Sequence, residues 1–176
     1  NYKKEHKAVK LIKKSIYSIS EFVKKDIYKY RIIANPGCYP TSIQIPLIPL
    51  LSKKFIKKDS IIIVSKSGYS GAGKNFKKKF KHKNLFSSIH AYGILKHRHQ
   101  SEINQEFSRI SKQKINYIFV PHLIPTFRGM LSSIYVELKK GVTIKKIYNE
   151  LKKINKNNYF IKILPINKKL GTENVI

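Results

Sequence analysis

The stretch "YRIIANPGCYPTSIQIPLIPLL" (30–51) constrains the fold more than any other part of the chain. A short apolar run, Tyr30 to Ala34, reads as a strand. It meets Asn35-Pro36-Gly37-Cys38-Tyr39-Pro40 and then an apolar segment from Thr41 that is too long for one strand. Proline locks φ and has no N–H, so Pro40 suits the first helical turn, where that N–H would be unpaired anyway. The spacing predicts a strand over 30–34, a tight turn, and a helix from Thr41 that Pro46 and Pro49 kink or shorten. The turn carries the only cysteine of the chain, Cys38, at or just before a helix N-terminus. Unpaired backbone N–H groups and the positive end of the helix dipole stabilise a thiolate there, and the same amides could receive an oxyanion. A buried, inert cysteine is the commoner fate of such a residue, but an inert one needs no setting this constrained.

The remaining elements alternate. Val9, Ile12, Ile16 and Ile19 fall at helical spacing and predict a helix within 8–24, with a turn at "YSISEF". "SIIIVSKS" (60–67) reads as a buried strand running into the glycine loop "GYSGAG", and "NYIFVPHL" (116–123) as another, stopped by Pro121. In "LSSIYVEL" (131–138) Ile134, Val136 and Leu138 alternate with polar residues, which predicts a half-exposed strand. After Gly141, Thr143 is a fair N-cap for a helix with Ile144, Ile147, Tyr148 and Leu151 on one face. "YFIKIL" (159–164) reads as a final strand. This is an α/β (α+β) pattern: one domain with a mixed β-sheet flanked by helices and no internal repeat.

Three more segments carry chemistry. In "HRHQSEINQEF" (97–107), Ile103, Phe107 and Ile110 share a helical face, which puts His97 and His99 in the loop entering that helix. Imidazole supplies acid–base catalysis near neutral pH. Neither a carboxylate nor a second cysteine is spaced to complete a zinc site, so no metal is expected. "GYSGAGKN" (68–75) fits the outline of a phosphate-binding P-loop, but Asn75 stands where Ser or Thr would reach magnesium. Its amides are better suited to approach a phosphate or a nicotinamide, with a plain tight turn as the alternative. "FVPHLIPTFRGML" (119–131) places Arg128 in a loop between strands, where a guanidinium can clamp a carboxylate bidentately or simply face solvent.

Charge is the feature with the most competing explanations. Lys+Arg number 37 against 9 Asp+Glu, formally +28. Clustered cations bind nucleic acid by releasing counterions. Here the lysines are spread along the whole chain, arginines, the usual base readers, stand only at 31, 98, 109 and 128, and Trp is absent. Lys, Ile, Asn and Tyr are abundant together, a bias expected from an AT-rich genome, and no specific nucleic-acid binding is expected. The run 76–83 is the best anion patch, with a solvated loop as its plain alternative. No apolar run approaches the roughly 18 residues of a membrane span. One cysteine forms no internal disulfide, so the expectation is a soluble, cytoplasmic protein.

Taken together, "NPGCYPT", "KSGYSGAGK", "HRHQSEINQ" and "FVPHLIPTFRGML", in that order and preceded by "IYSISEF", resemble the N-acetyl-gamma-glutamyl-phosphate reductase family of the semialdehyde dehydrogenase group. The resemblance implies a glyceraldehyde-3-phosphate-dehydrogenase-like catalytic and oligomerisation domain over 1–176, cut at both ends and without the family's N-terminal NADP-binding Rossmann domain. It implies NADPH-dependent reduction of a small-molecule acyl phosphate, N-acetyl-L-glutamyl 5-phosphate, to its semialdehyde in arginine biosynthesis, by way of a thioester on Cys38. His97 or His99 would move the proton. Arg98, Arg128 and Ser67 would bind substrate, and Gly68, Ser70, Gly71 and Gly73 would lie against NADP(H). A homo-oligomer is implied as well, and the isolated chain is expected to turn over little. The alternatives are a related reductase of the one-carbon-longer acyl phosphate in lysine biosynthesis, a basic nucleic-acid-binding module, and a domain kept only for assembly.

Overall fold

The computed structural model describes residues 6–23, 26–72 and 84–174. In chain order the principal elements are α1 (Val9–Ile12), β1 (Ser15–Tyr17), β2 (Ile32–Ala34), α2 (Cys38–Ser52) and β3 (Ile61–Gly68). They continue with β4 (His90–Ala91), α3 (Gln100–Ser111), β5 (Tyr117–Ile124), β6 (Met130–Tyr135) and α4 (Ile144–Asn155). The expected mixed α/β architecture is present. Four strands form one sheet in the order β4-β5-β3-β6. β3 and β5 run parallel, from Ile61↔Tyr117 to Gly68↔Ile124, while β6 and β4 join antiparallel at either side. β1 and β2 make a separate parallel pair that leads into the cysteine turn.

One face of the four-stranded sheet is covered. Ile61 and Ile63 of β3 and Phe119 of β5 are buried against Ile43, Leu47 and Leu51 of α2 and Ile103 and Phe107 of α3. The alternation along β3 follows from the strand period of two: residues 61, 63, 65 and 67 point into this core and Ile62 points away. The Ser42 hydroxyl meets the Ser132 hydroxyl at 2.8 Å, and Ser132 meets Ser65 at 2.7 Å, which ties α2 across β6 to β3. The opposite face stays open, with Ile62, Ile118 and Tyr135 at 42%, 54% and 61% exposure. Among the described residues no helix is long and apolar enough to cross a membrane.

Several elements depart from the sequence expectation. The 8–24 helix is only α1; the chain then becomes extended, and Ile16 pairs with Ile33. α1 buries no helical face, since Val9, Leu11 and Ile12 are all exposed, while Ile19 is buried from the chain beyond β1. α2 starts at Cys38 rather than Thr41 and runs through both Pro46 and Pro49 to Ser52. β5 passes through Pro121 to Ile124. Tyr92 N–H donates to the Pro121 carbonyl at 3.0 Å, so the missing proline N–H also faces β4, which has only two residues, and the pairing with β3 is unbroken. β6 ends at Tyr135, leaving Leu138 a lone bridge to Ile56. Residues 159–164 form no strand; Tyr159 and Phe160 are exposed, and no described strand lies alongside to pair with them. Thr143 caps α4 as expected, its hydroxyl accepting from Lys146 N–H at 3.2 Å.

Candidate active site

The sequence locally builds the site around the start of α2. β2 ends at Ala34, Asn35 and Pro36 turn the chain, and Gly37 forms the N-cap with φ −63° and ψ 172°. Cys38 is the first residue of the helix and is exposed. The N–H groups of Cys38 and Tyr39 have no partner inside the helix, and Pro40 has none to leave unpaired. Thr41 completes the turn by donating both its N–H and its hydroxyl to the Gly37 carbonyl at 2.9 Å.

A cavity of about 350 Å³ opens over Cys38. Ser67 and Gly71 reach it from the end of β3 and the turn after it, and Leu123 reaches it from the end of β5. The site therefore sits at the carboxyl ends of the two parallel strands, where α/β sheets characteristically bind ligands. Tyr92 and Gly93 follow β4, and Lys96, His97, Arg98 and His99 come from the turn into α3. Tyr39 forms the floor. Its ring lies edge-on to those of His97, His99 and Phe119, and its hydroxyl meets the Tyr92 hydroxyl at 2.9 Å. Burial above all, and then the Tyr92 contact, pushes the Tyr39 phenol well above its ordinary value.

The two histidines are in contact, with ring centroids 4.8 Å apart. His97 Nδ1 accepts from the His99 backbone N–H at 3.2 Å. Burial, followed by the His99 and Arg98 charges, lowers His97 to about 4. His99 is also lowered, chiefly by burial, against an opposing pull from Glu102. Both imidazoles are thus held neutral at neutral pH, each a weaker base than a free imidazole because burial disfavours its charged form. The His99 ring lies directly on Gly37: a Cβ there would come within 2.6 Å of its Nε2. Only a glycine allows the imidazole to approach the residue next to the thiol so closely.

The cavity thus brings together Cys38, His97, Arg98, His99, Ser67 and Gly71 from the sequence expectation. Gly68 and Ser70 are placed differently. Their N–H groups donate to the carbonyls of Gly129 and Phe127 at 2.9 and 3.0 Å, so these two amides fasten the loop to residues 127–129 instead of facing a ligand. Gly68 is a glycine because its neighbour is backbone, with a Cβ there only 2.7 Å from the Phe127 oxygen. Arg128 is outside the cavity lining, its guanidinium 5.2 Å from the centre of the Phe127 ring. Gly73, Asn75 and the basic run 76–83 lie outside the described residues. Sequence reasoning missed Lys96, Tyr39 and Tyr92 in the lining and Glu102 just behind it. Lys96 had a visible signal, since it directly precedes the His-Arg-His triplet.

Residues 38–176 match the family model described as semialdehyde dehydrogenase, dimerisation domain. The chain is 44% identical over 163 residues to a protein of Arabidopsis thaliana named probable N-acetyl-gamma-glutamyl-phosphate reductase, chloroplastic, covering 93% of this chain and 41% of that one. It is 40% identical over 174 residues to the N-acetyl-gamma-glutamyl-phosphate reductase of Afipia carboxidovorans, covering 99% and 49%. The chain therefore spans about half the length, or less, of these curated relatives. Among solved structures, aspartate semialdehyde dehydrogenase from Francisella tularensis superposes with a TM-score of 0.61 at 12% identity, over 81% of this chain and 52% of that one. Aspartate semialdehyde dehydrogenase II from Vibrio cholerae gives 0.58 at 18% identity, over 80% and 49%. At such identities the likeness is one of fold. The chain belongs to the semialdehyde dehydrogenase dimerisation-domain family, and the relatives it matches within that family are named N-acetyl-gamma-glutamyl-phosphate reductases.

Proposed function

We propose that this chain is the catalytic and dimerisation part of an N-acetyl-gamma-glutamyl-phosphate reductase, reducing N-acetyl-L-glutamyl 5-phosphate to the semialdehyde as a step of arginine biosynthesis. The single observation that carries this is the cavity in which Cys38, at the first position of α2, shares walls with His97, His99 and two cations. A neutral imidazole, His97 or His99, takes the proton of Cys38. The thiolate then attacks the acyl carbon: a C–S bond forms, the C–O bond to phosphorus breaks, and inorganic phosphate leaves. Lys96 and Arg98 match the charge of that leaving group, and among the described residues no carboxylate lines the cavity to oppose it. The unpaired amides at the start of α2 face the oxyanion that develops at the attacked carbonyl.

The nicotinamide end of NADP(H) fits beside Ser67 and Gly71, where the cavity wall is small and polar. When bound, NADPH supplies the hydride that reduces the thioester carbonyl. The C–S bond then breaks as the aldehyde forms, and the released Cys38 thiolate takes back the proton held by the imidazole, which restores the thiol. The chain spans half or less of its relatives' length, so the isolated 176 residues are expected to turn over little and the full-length protein to be active. The open sheet face bearing Ile62, Ile118 and Tyr135 supports a homo-oligomer, each copy covering the other.

The test is NADPH consumption by the full-length protein with N-acetyl-L-glutamyl 5-phosphate, and with the one-carbon-longer acyl phosphate as competitor. Cys38→Ser is expected to lose at least about a thousandfold in kcat. Turnover that survives Cys38→Ser, or a preference for the longer substrate, would overturn this assignment.

A further inference from the structure

Behind the cavity lies a buried polar chain that the reaction above does not use. Glu102 of α3 is 8% exposed, and a carboxylate that far from water needs partners. Its Oε2 accepts from the Gly37 backbone N–H at 3.1 Å and from the Tyr17 hydroxyl at 2.7 Å. Its Oε1 faces His99 Nε2 at 4.0 Å. Tyr17 in turn accepts from Gln44 Nε2 at 3.3 Å, and Gln44 is 1% exposed inside α2. The direction of this chain is fixed: an amide N–H can only donate and a carboxylate can only accept, so the phenol must donate to Glu102. Burial first, and then the Glu102 contact, holds the Tyr17 phenol far above its ordinary value, so it keeps that proton throughout the working pH range.

The geometry has a consequence for the thiol. Gly37 is the N-cap of α2, and its N–H is the last amide before Cys38. A carboxylate gripping that amide on one oxygen, while the other faces His99, registers the nucleophile's turn against the imidazole. We propose that Tyr17 is a positioning residue for the cysteine turn: by donating to Glu102 while anchored to Gln44, its hydroxyl aims the carboxylate that holds Gly37, and so orients the start of α2. This rests on Cys38 being the nucleophile. It gives β1, a three-residue strand paired among the described residues with β2 alone, a role at a site it does not line.

A double-mutant cycle in the full-length protein tests it, read both by turnover and by the rate at which iodoacetamide alkylates Cys38 at fixed pH. Tyr17→Phe is expected to lower kcat by about tenfold with KM within about twofold, and to slow alkylation in the same direction. Adding Tyr17→Phe to Glu102→Gln is expected to cost nothing further, because the hydroxyl acts through that carboxylate. An alkylation rate unchanged by Tyr17→Phe, or losses that multiply in the double variant, would overturn the proposal in favour of simple packing. Should Tyr17→Phe fail to fold, Gln44→Met removes the anchor while leaving the phenol in place. It is expected to slow alkylation too, and an unchanged rate there would also overturn the proposal. If the wild-type protein shows no NADPH-dependent turnover, the reductase assignment fails, while the alkylation cycle still decides the role of Tyr17.

Discussion

At Gly37 a single hydrogen atom decides whether the site can exist. The His99 ring occupies the space a Cβ would need, with Nε2 2.6 Å from the position such an atom would take. His99 is buried and cannot swing away cheaply. Gly37→Ala is therefore expected to displace the imidazole and lower kcat by about a hundredfold, since misplacing a reacting group by about 1 Å costs that much. The φ of −63° suits alanine, so the fold should survive. Unchanged activity with an intact circular-dichroism spectrum would contradict this. Cys38 and the His-Arg-His triplet were legible in the sequence because turn and cap chemistry is local. Glu102 was not: nothing at position 102 announces that its carboxylate meets an amide 65 residues earlier. Arg128, a residue suited to clamp a carboxylate, stands outside the cavity lining with its guanidinium over the Phe127 ring, a placement its sequence did not reveal.

At the scale of elements, α2 tolerates what its sequence argued against. Pro46 and Pro49 each remove an intrahelical bond and leave the carbonyls of Ser42 and Ile45 without their helical partners. The helix holds because Ile43, Leu47 and Leu51 are buried in the core on one side. Burial of several such side chains, at about 1.5–3 kcal/mol each, offsets a penalty of about 3 kcal/mol for each of the two prolines. Pro46 is only half-buried, so Pro46→Ala is expected to stabilise the protein by about 1 kcal/mol after the lost ring contacts are subtracted. Urea denaturation checks this, and a loss of stability would mean the ring is essential to packing. The proposed helix over 8–24 failed for the converse reason. Its apolar spacing was real, but Val9 and Ile12 stay exposed while Ile19 is buried from non-helical chain, and β2 offers Ser15–Tyr17 a pairing edge.

For the whole molecule, the sheet has one face finished by helices and one left bare. Ile62 and Ile118 are direct neighbours across β3 and β5, and Tyr135 sits beside Ile62 on β6, so the exposed apolar residues form one contiguous patch. Patches of this kind mark interfaces. Ile118→Lys is expected to dissociate the proposed homo-oligomer into monomers in sedimentation velocity, because a lysine at the centre of such an apolar interface cannot be desolvated without a partner. An unaltered mass would move the interface elsewhere. The sequence by itself determined the elements whose cause is local: the cysteine turn, the helix carrying Ile103 and Phe107, the β3 strand and the Thr143 cap. Only the tertiary structure decided which loops meet over Cys38, that the amides of Gly68 and Ser70 are spent on residues 127–129, and that Tyr17, Gln44 and Glu102 converge behind the thiol. The physical reason is range. Caps and periodicity act within a few residues, whereas a buried polar group takes whatever partner the packed chain brings to it, and that partner is fixed only when α2, α3 and the sheet close together.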